Sequence, residues 1–325
     1  MKRVVITGAA GFVASHLLEH LIKQTNWHFI VVDRLTYAGS LHRITHLPRD
    51  RWEFLFHDLR APISPQNLAR LGRVDYFLHL AAESHVDNSL TNPLPFIESN
   101  VIGTFNLLEA ARTIGCERFM QMSTDEVFGP APDGVDYRET DTIRPSNPYS
   151  AAKASSEALA YAWNVSFGVP FFGVRGMNMF GQRQHREKMV PLCIKKITRG
   201  EVVTIHGNRQ VIGARKWIHA RNTADAILFL LNQPSEKVVR EWFHVAGEER
   251  TNLEIAQLIA GIVNKKLQYD LVDFHSARPG HDRRYSLCDE KIRNLGWKPP
   301  VGFVDSLRET VEWTLKPENR IWLEG

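Results

Sequence analysis

The strongest constraint on this chain is an alternation of short apolar runs with amphipathic stretches, beginning at its second residue. Residues 2–7 are a β-branched run, and residues 15–23 carry apolar side chains at helical spacing, at Leu17, Leu18, Leu21 and Ile22. Further strand-like runs lie at 29–32, closed by Asp33, at 53–56 and at 74–80. A long helical stretch at 95–114 precedes a fifth run at 118–122, and another at 149–167 precedes a sixth at 171–174. A helix between two strands carries the chain back so that both strands run the same way. The expected fold class is therefore α/β, a Rossmann-type doubly wound parallel sheet with a smaller C-terminal substrate-binding domain. The alternation loosens after Arg175 and returns near Trp217, and amphipathic helices are expected at 254–263 and 303–315. These shifts predict a first domain over 1–176 with a return at 217–245, and a second over 177–216 and 246–325.

Composition narrows the class. Hydrophobic residues make up 43% and charged ones 23%, the balance of a globular chain that buries a core. No apolar run approaches the roughly 18 residues of a membrane helix, so no membrane partner is expected. The first residues enter a strand and do not read as a signal peptide. Three widely spaced cysteines, Cys116, Cys193 and Cys288, argue against a disulfide framework and a cysteine metal site, and fit a reducing cytoplasm. No metal is expected. The net charge of +4 comes from clusters at Arg183, Arg186, Lys188, Lys195 and Lys196, at Arg209, Arg215, Lys216 and Arg221, and at Arg278, His281, Arg283 and Arg284. Each cluster reads either as a solvated basic face or as a phosphate site. Nucleic acid is not expected, because no aromatic stacking residues are interleaved with the basic ones.

Between the first strand and helix lies Gly8-x-x-Gly11-x-x-Ala14. Glycine there lets the backbone approach a pyrophosphate, and the helix N-terminus offers free N–H groups. Asp33 closes the second strand where an acidic residue would grip ribose hydroxyls and repel a 2′-phosphate, which favours NAD. Arg34 beside it works against that choice, because an Arg can accommodate such a phosphate. Asp58, before Leu59, reads either as an adenine-facing residue or as a helix N-cap.

Two further features carry chemistry. Thr124, Asp125 and Glu126 follow the fifth apolar run, and Tyr149 and Lys153 lie one helical turn apart just past Asn147-Pro148. In an open parallel sheet, ligands bind at the carboxyl ends of the strands, where both features fall. Tyr has an ordinary pKa near 10 and becomes a base when a nearby ammonium stabilises its phenolate. A carboxylic acid beside a carboxylate can deliver one proton and remove another. Together they suggest oxidation of a carbon coupled to loss of water beside it.

The chain resembles the extended short-chain dehydrogenase/reductases, and within them the dTDP-glucose 4,6-dehydratases. The resemblance rests on segments 32–39 (VDRLTYAG), 79–87 (HLAAESHVD), 123–129 (STDEVFG), 148–153 (PYSAAK), 187–191 (EKMVP) and 278–285 (RPGHDRRY), which span nearly the whole chain. It implies a lyase that uses tightly bound NAD to convert a nucleotide diphosphate hexose to its 4-keto-6-deoxy sugar. The implied catalytic residues are Tyr149 and Lys153 for the C4 hydroxyl, Thr124 as hydrogen-bond partner, Glu126 as base at C5 and Asp125 as acid at the C6 hydroxyl. NAD contacts are implied for Gly8, Gly11, Phe12, Val13, Asp33, Arg34, Thr36, Asp58, Leu59, Leu80, Ala81, Ala82, Ser84 and Asn100, with Tyr149 and Lys153. Substrate contacts are implied for Ser84, Thr124, Asn178, Lys188, Arg215, Arg278 and His281, with Arg186 and Arg209 read as solvated.

The chain departs from the family pattern at Ala14, at Gly176-Met177-Asn178-Met179 where the family is more polar, and at Asn88, His206, Lys216 and His244. Most of these positions are expected near nucleotide or sugar. The nucleotide therefore stays open among dTDP, UDP, CDP and GDP, and so does the C2 substituent. Two competing readings are a 4-epimerase or decarboxylase on the same scaffold, opposed by Asp125-Glu126, and a non-catalytic NAD-binding scaffold, opposed by the complete catalytic set. The long helices at 95–114 and 149–167 carry apolar residues on more than one side, including Phe96, Ile97, Val101, Phe105, Leu159, Tyr161, Trp163 and Val165. By family analogy these helices pair across a two-fold to give a homodimer.

Overall fold

Parallel strands buried on both faces need apolar side chains on both, and the first strand shows how this chain meets that need. In the computed structural model, which describes residues 1–207, 212–272 and 284–324, β1 (Arg3–Thr7) turns Val4 and Ile6 to one side and Val5 to the other. β2 (His28–Asp33), β3 (Trp52–Phe56), β4 (Tyr76–His79), β5 (Arg118–Thr124), β6 (Phe171–Gly176) and β10 (Trp242–Val245) complete a parallel sheet in the order β10-β6-β5-β4-β1-β2-β3. Helices α1 (Phe12–Gln24) and α7 (Ala220–Leu231) cover the Val4 face through Leu17, Leu18, Leu21, Ile227 and Leu230. Helices α4 (Gly103–Ile114) and α5 (Pro148–Phe167) cover the Val5 face through Leu107, Leu108, Ala111 and Ala160. Each such Leu or Ile side chain stabilises the fold by roughly 1.5–3 kcal/mol on leaving water.

The short helices α2 (Pro65–Leu71) and α3 (Val86–Thr91) follow β3 and β4. Beyond β6, a three-stranded sheet runs β11-β9-β7, from Glu248–Thr251, Ala214–His219 and Asn178–Phe180. β8 (Val203–His206) pairs with β12 (Tyr269–Val272). Helices α6 (Met189–Arg199), α8 (Asn252–Ile262) and α9 (Phe303–Leu315) bury Ile194, Ile259 and Leu307 in a core of their own. Trp217, where the return to the core of the first domain is expected to open, lies in β9; the helix that follows it, α7, packs on the large sheet, whose next described strand begins at Trp242.

The helix expected over 95–114 is interrupted. A turn at Leu94–Phe96 leads into a π-helical segment, Ile97–Ile102, before α4 begins. The cause is a buried polar chain. Thr7 Oγ1 accepts from Leu80 N and Ala81 N (3.2 and 3.1 Å), so its own proton goes to His79 Nδ1 at 2.8 Å. His79 Nε2 then donates to Thr104 Oγ1 (2.9 Å), which donates to the Asn100 carbonyl (2.6 Å). Burial, with the Lys153 charge nearby, brings His79 down to about 3, so the neutral ring this ordering requires is the stable form. The π turn rotates Asn100 inward, where its side chain accepts from Glu83 N and donates to Glu83 O.

A second buried polar group fixes α5. Arg175 at the end of β6 donates twice to Glu157 of α5, at 3.0 and 2.7 Å, and both side chains are almost wholly buried. The guanidinium also lies over Phe128 and Trp242. His244 places Nε2 3.2 Å from it, and burial followed by the Arg175 charge brings that imidazole down to about 3. Arg175→Met should therefore cost about 3–5 kcal/mol in equilibrium denaturation, because it leaves Glu157 buried and uncompensated. Adding Glu157→Leu should recover most of the loss, and a single variant as stable as the parent would rule the pair out as a structural pin.

Candidate active site

The carboxyl ends of β1, β2, β4, β5 and β6 open onto one cavity of about 590 Å³. Gly8, Gly11, Phe12, Val13, Asp33, Arg34, Thr36, Asp58, Leu59, Leu80, Ala81, Ala82 and Ser84 line it, as do Thr124, Asp125, Glu126, Tyr149, Lys153, Asn178, Lys188 and Arg215. Asn100 does not: its side chain holds the backbone of Glu83, which does line the cavity. Arg278 and His281 lie outside the described residues, as does Arg209. Among the described residues no cluster of His, Cys, Asp or Glu could hold a metal ion.

At one end the glycine turn meets the loop after β4. Gly8 has φ +75°, and a Cβ there would stand 2.8 Å from Ala81 Cα, so only glycine fits. Asp33 is fixed by Ala10 N (3.0 Å) and Leu35 N (2.8 Å), with its carboxylate on the cavity wall. The structure resolves the ambiguity at Arg34. Its guanidinium is held by Glu83 (2.6 Å), Asp58 (3.2 Å) and Ser99 (3.2 Å), and so is committed to partners within the protein. Burial works against ionisation of Asp58, but Arg60 and Arg34 prevail and bring it down to about 2. Its oxygens also accept from Arg60 N, which caps the turn after β3. This set of donors and close-approach positions fits an NAD dinucleotide.

At the other end stand the residues expected to carry the chemistry. Thr124 ends β5, and a 3₁₀ turn, Asp125–Phe128, follows immediately. Thr124 Oγ1 donates to Asp125 Oδ1 at 2.9 Å and is hydrogen-bonded to the Tyr149 hydroxyl. Asp125 is 5% exposed, and burial pushes its carboxyl up to about 6 despite Thr124 and the Arg215 charge. Asn147 links the turn to the helix. Its Oδ1 caps α5 through Ser150 N at 2.8 Å, and its Nδ2 donates to Glu126 Oε2 at 3.1 Å. Lys153 Nζ donates to Met122 O at 2.6 Å, and burial lowers its ammonium to about 8, opposed by Glu157.

Tyr149 behaves differently from the expectation drawn from its Lys neighbour. Burial raises its phenol well above the ordinary value, Glu126 and Asp125 add to the rise, and only the Thr124 hydrogen bond opposes them. The Lys153 ammonium is directed instead at the Met122 carbonyl.

The basic clusters separate by strand alternation and pairing. Arg215 and Trp217, two apart on β9, both face the cavity, whereas Lys216 between them points away to pair with Asp136 and donate to Leu287 O at 2.8 Å. The charge reversal at Lys216 therefore falls outside the site, and so does the buried His244. Arg183 pairs with Glu19, Arg221 with Glu309, and Arg284 with Asp136 and Glu249. Of the sequence clusters, Lys188 and Arg215 are the described Lys and Arg residues that line the cavity.

Comparison with known proteins decides the family. The family model for GDP-mannose 4,6 dehydratase matches residues 5–310. The dTDP-glucose 4,6-dehydratase of Shigella flexneri is 36% identical over 349 aligned residues, covering 99% of this chain and 95% of the relative. The chain belongs to the dTDP-glucose 4,6-dehydratase family of extended short-chain dehydrogenase/reductases. A crystal structure of the Streptomyces venezuelae dTDP-glucose 4,6-dehydratase with NAD bound has TM-score 0.88 and 35% identity, covering 99% of each chain. A UDP-glucose 4-epimerase of Thermus thermophilus in complex with NAD has TM-score 0.84 and 28% identity, covering 95% of this chain and 98% of its own. Dehydratase and epimerase thus share the fold.

The folded state holds the Asp125 proton with a pKa of about 6, against an ordinary 3.8. That contribution to stability is complete below about pH 4 and is lost as pH rises through about 6. Above neutrality the buried carboxylate costs up to about 3 kcal/mol. Asp125→Asn should therefore raise the melting temperature by a few degrees at about pH 8 and give no gain at about pH 4. An equal offset at both pH values would mean that Asp125 keeps an ordinary pKa.

Proposed function

We infer that this chain is an NAD-dependent nucleotide-sugar 4,6-dehydratase, a hydro-lyase whose substrate is dTDP-glucose or a closely related nucleotide diphosphate hexose. The observation that carries the reading is Asp125, a buried carboxyl that keeps its proton to about pH 6, next in sequence to Glu126 and bridged to Tyr149 by Thr124. When bound, NAD would supply the hydride acceptor for the sugar C4 and the hydride donor for C6, and would end each turnover unchanged. Tyr149, whose phenol is raised by burial in the protein alone, would accept the C4 hydroxyl proton as the phenolate that Lys153 and the positive charge of bound NAD⁺ favour, with Thr124 hydrogen-bonded to that oxygen. Glu126, held by Asn147, removes the C5 proton made acidic by the C4 ketone and later returns a proton to C5. Asp125 donates its proton to the departing C6 hydroxyl, which leaves as water. Opposite proton tasks for two neighbouring carboxyls require separated pKa values, and burial of Asp125 supplies the difference.

Gly8, Gly11, Asp33 and the loop from Leu80 to Ser84 hold the dinucleotide in this reading. Residues 177–216 and 246–325 form the substrate-facing part, with Arg215 and Lys188 toward the diphosphate. The described residues include no helix long and apolar enough to cross a membrane, and we place the enzyme in the cytoplasm. We also read it as a homodimer. Ile102, Phe105, Tyr161, Val165 and Phe167 are exposed on α4, α5 and the π turn, and Phe105 packs edge-on to Trp163, so the two helices present one apolar face. Phe96, grouped with that face from the sequence, is instead buried against the chain's own core.

Glu126→Gln should lower turnover at least about 100-fold while NADH absorbance builds up on mixing with dTDP-glucose. Parental turnover in that variant would remove Glu126 from its role. Tyr149→Phe should show neither turnover nor NADH. Val165→Arg should shift a sedimenting dimer to monomer, and an unchanged dimer would place the interface elsewhere.

A further inference from the structure

Residues 181–188, between β7 and α6, have no regular structure, yet Gln184, His185, Glu187 and Lys188 line the same cavity as the glycine turn. Their attachments are unusually polar for a connecting loop. Arg43, itself on the cavity wall and 2% exposed, donates to three carbonyls from three separate segments. These are Ala10 of the glycine turn at 2.9 Å, Ala38 after β2 at 2.7 Å, and Arg183 of the loop at 3.0 Å. The Trp322 ring covers the guanidinium at 4.9 Å. A second attachment is the Glu187 carboxylate, 3.7 Å from His85 Nε2 and 3.5 Å from His185 Nδ1, with the His185 ring edge-on to Tyr37. His16 of α1 provides a third, its Nε2 2.9 Å from Gln182 O. Each attachment ends on an element of the dinucleotide end of the cavity.

We propose that Arg43 staples the 181–188 segment across the dinucleotide and makes cofactor release slow, with the Glu187 contacts as a second fastening. The proposal rests on the NAD reading above. A reaction that regenerates its cofactor in every turnover gains nothing from exchange and loses its reduced intermediate if NADH escapes. Moving the loop outward must break a hydrogen bond from a buried guanidinium, whose two other carbonyl partners stay with the glycine turn and the loop after β2. Arg43 is thus a positioning residue: it touches neither sugar nor reacting carbon.

The test is the rate at which NADH leaves the loaded protein when displaced by excess NAD⁺, read from energy transfer between tryptophan and NADH. Arg43→Met keeps the stem and removes every donor. It should speed release by roughly tenfold or more, the equivalent of one charge-assisted hydrogen bond. Glu187→Gln should also speed release. A role confined to folding would lower the melting temperature of the protein without NADH and leave the release rate alone. Parental release from a folded Arg43→Met protein overturns the proposal. If Arg43→Met does not fold, Glu187→Gln decides, and parental release from it has the same meaning. A parental protein that takes up no NADH overturns the cofactor reading itself, a result distinct from tight and unchanged binding in both variants.

Discussion

The carboxyl of Asp125 is buried at the end of a central parallel strand, and the rest of the site depends on that burial. Exposed to water, it would ionise and leave two adjacent carboxylates with the same task. Buried beside Thr124, it stays protonated to about pH 6 while its neighbour Glu126 is held by Asn147. The burial requires β5 to lie between covered neighbours β4 and β6, and it requires the 3₁₀ turn after Thr124 to pack closely. Phe128 closes that turn and is 2% exposed, set against the Arg175 guanidinium and the Tyr137 ring. Arg175 in turn grips Glu157 on α5, the helix that carries Tyr149 and Lys153. One buried guanidinium thus holds the acid turn and the helix with the base in register.

Much of this was legible in the sequence, where the signal was local. Apolar periodicity marked β1, α1, α5 and α9 to within a few residues, because both sheet faces and one face of each helix must be apolar. The glycine turn, Asp33, Thr124, Asp125, Glu126, Tyr149 and Lys153 all line one cavity, because strand ends in a parallel sheet converge. What was not legible depends on contacts distant in sequence. Asn147 stands before the helix in sequence, but its bond to Glu126 exists only once β5 and α5 are packed. The π turn at Ile97–Ile102 follows from a polar chain that starts at Thr7, about 90 residues upstream. Arg43 lies in a polar stretch with no motif, and its three carbonyls come from segments up to 140 residues away. Lys216 looked like a departure at the nucleotide because sequence position does not say which side of β9 faces the cavity.

The same geometry bears on the division between dehydratase and epimerase. Both need the dinucleotide end of the cavity and a Tyr-Lys pair, which fits the close likeness to a 4-epimerase at 28% identity. An epimerase returns hydride to the carbon that lost it and needs no acid for a leaving hydroxyl. Asp125, whose burial costs stability once its carboxyl ionises above about pH 6, has no part in such a cycle. In the proposed elimination it is the group that would let a hydroxyl leave as water.

The most direct test of this account is the mass of the product formed from dTDP-glucose in deuterated water with NAD present. The account predicts loss of one water and incorporation of one non-exchangeable deuterium, located at C5, because Glu126 gives up the C5 proton to solvent before a proton is returned. A product of unchanged mass and no deuterium at carbon, whether epimer or starting material, would contradict it.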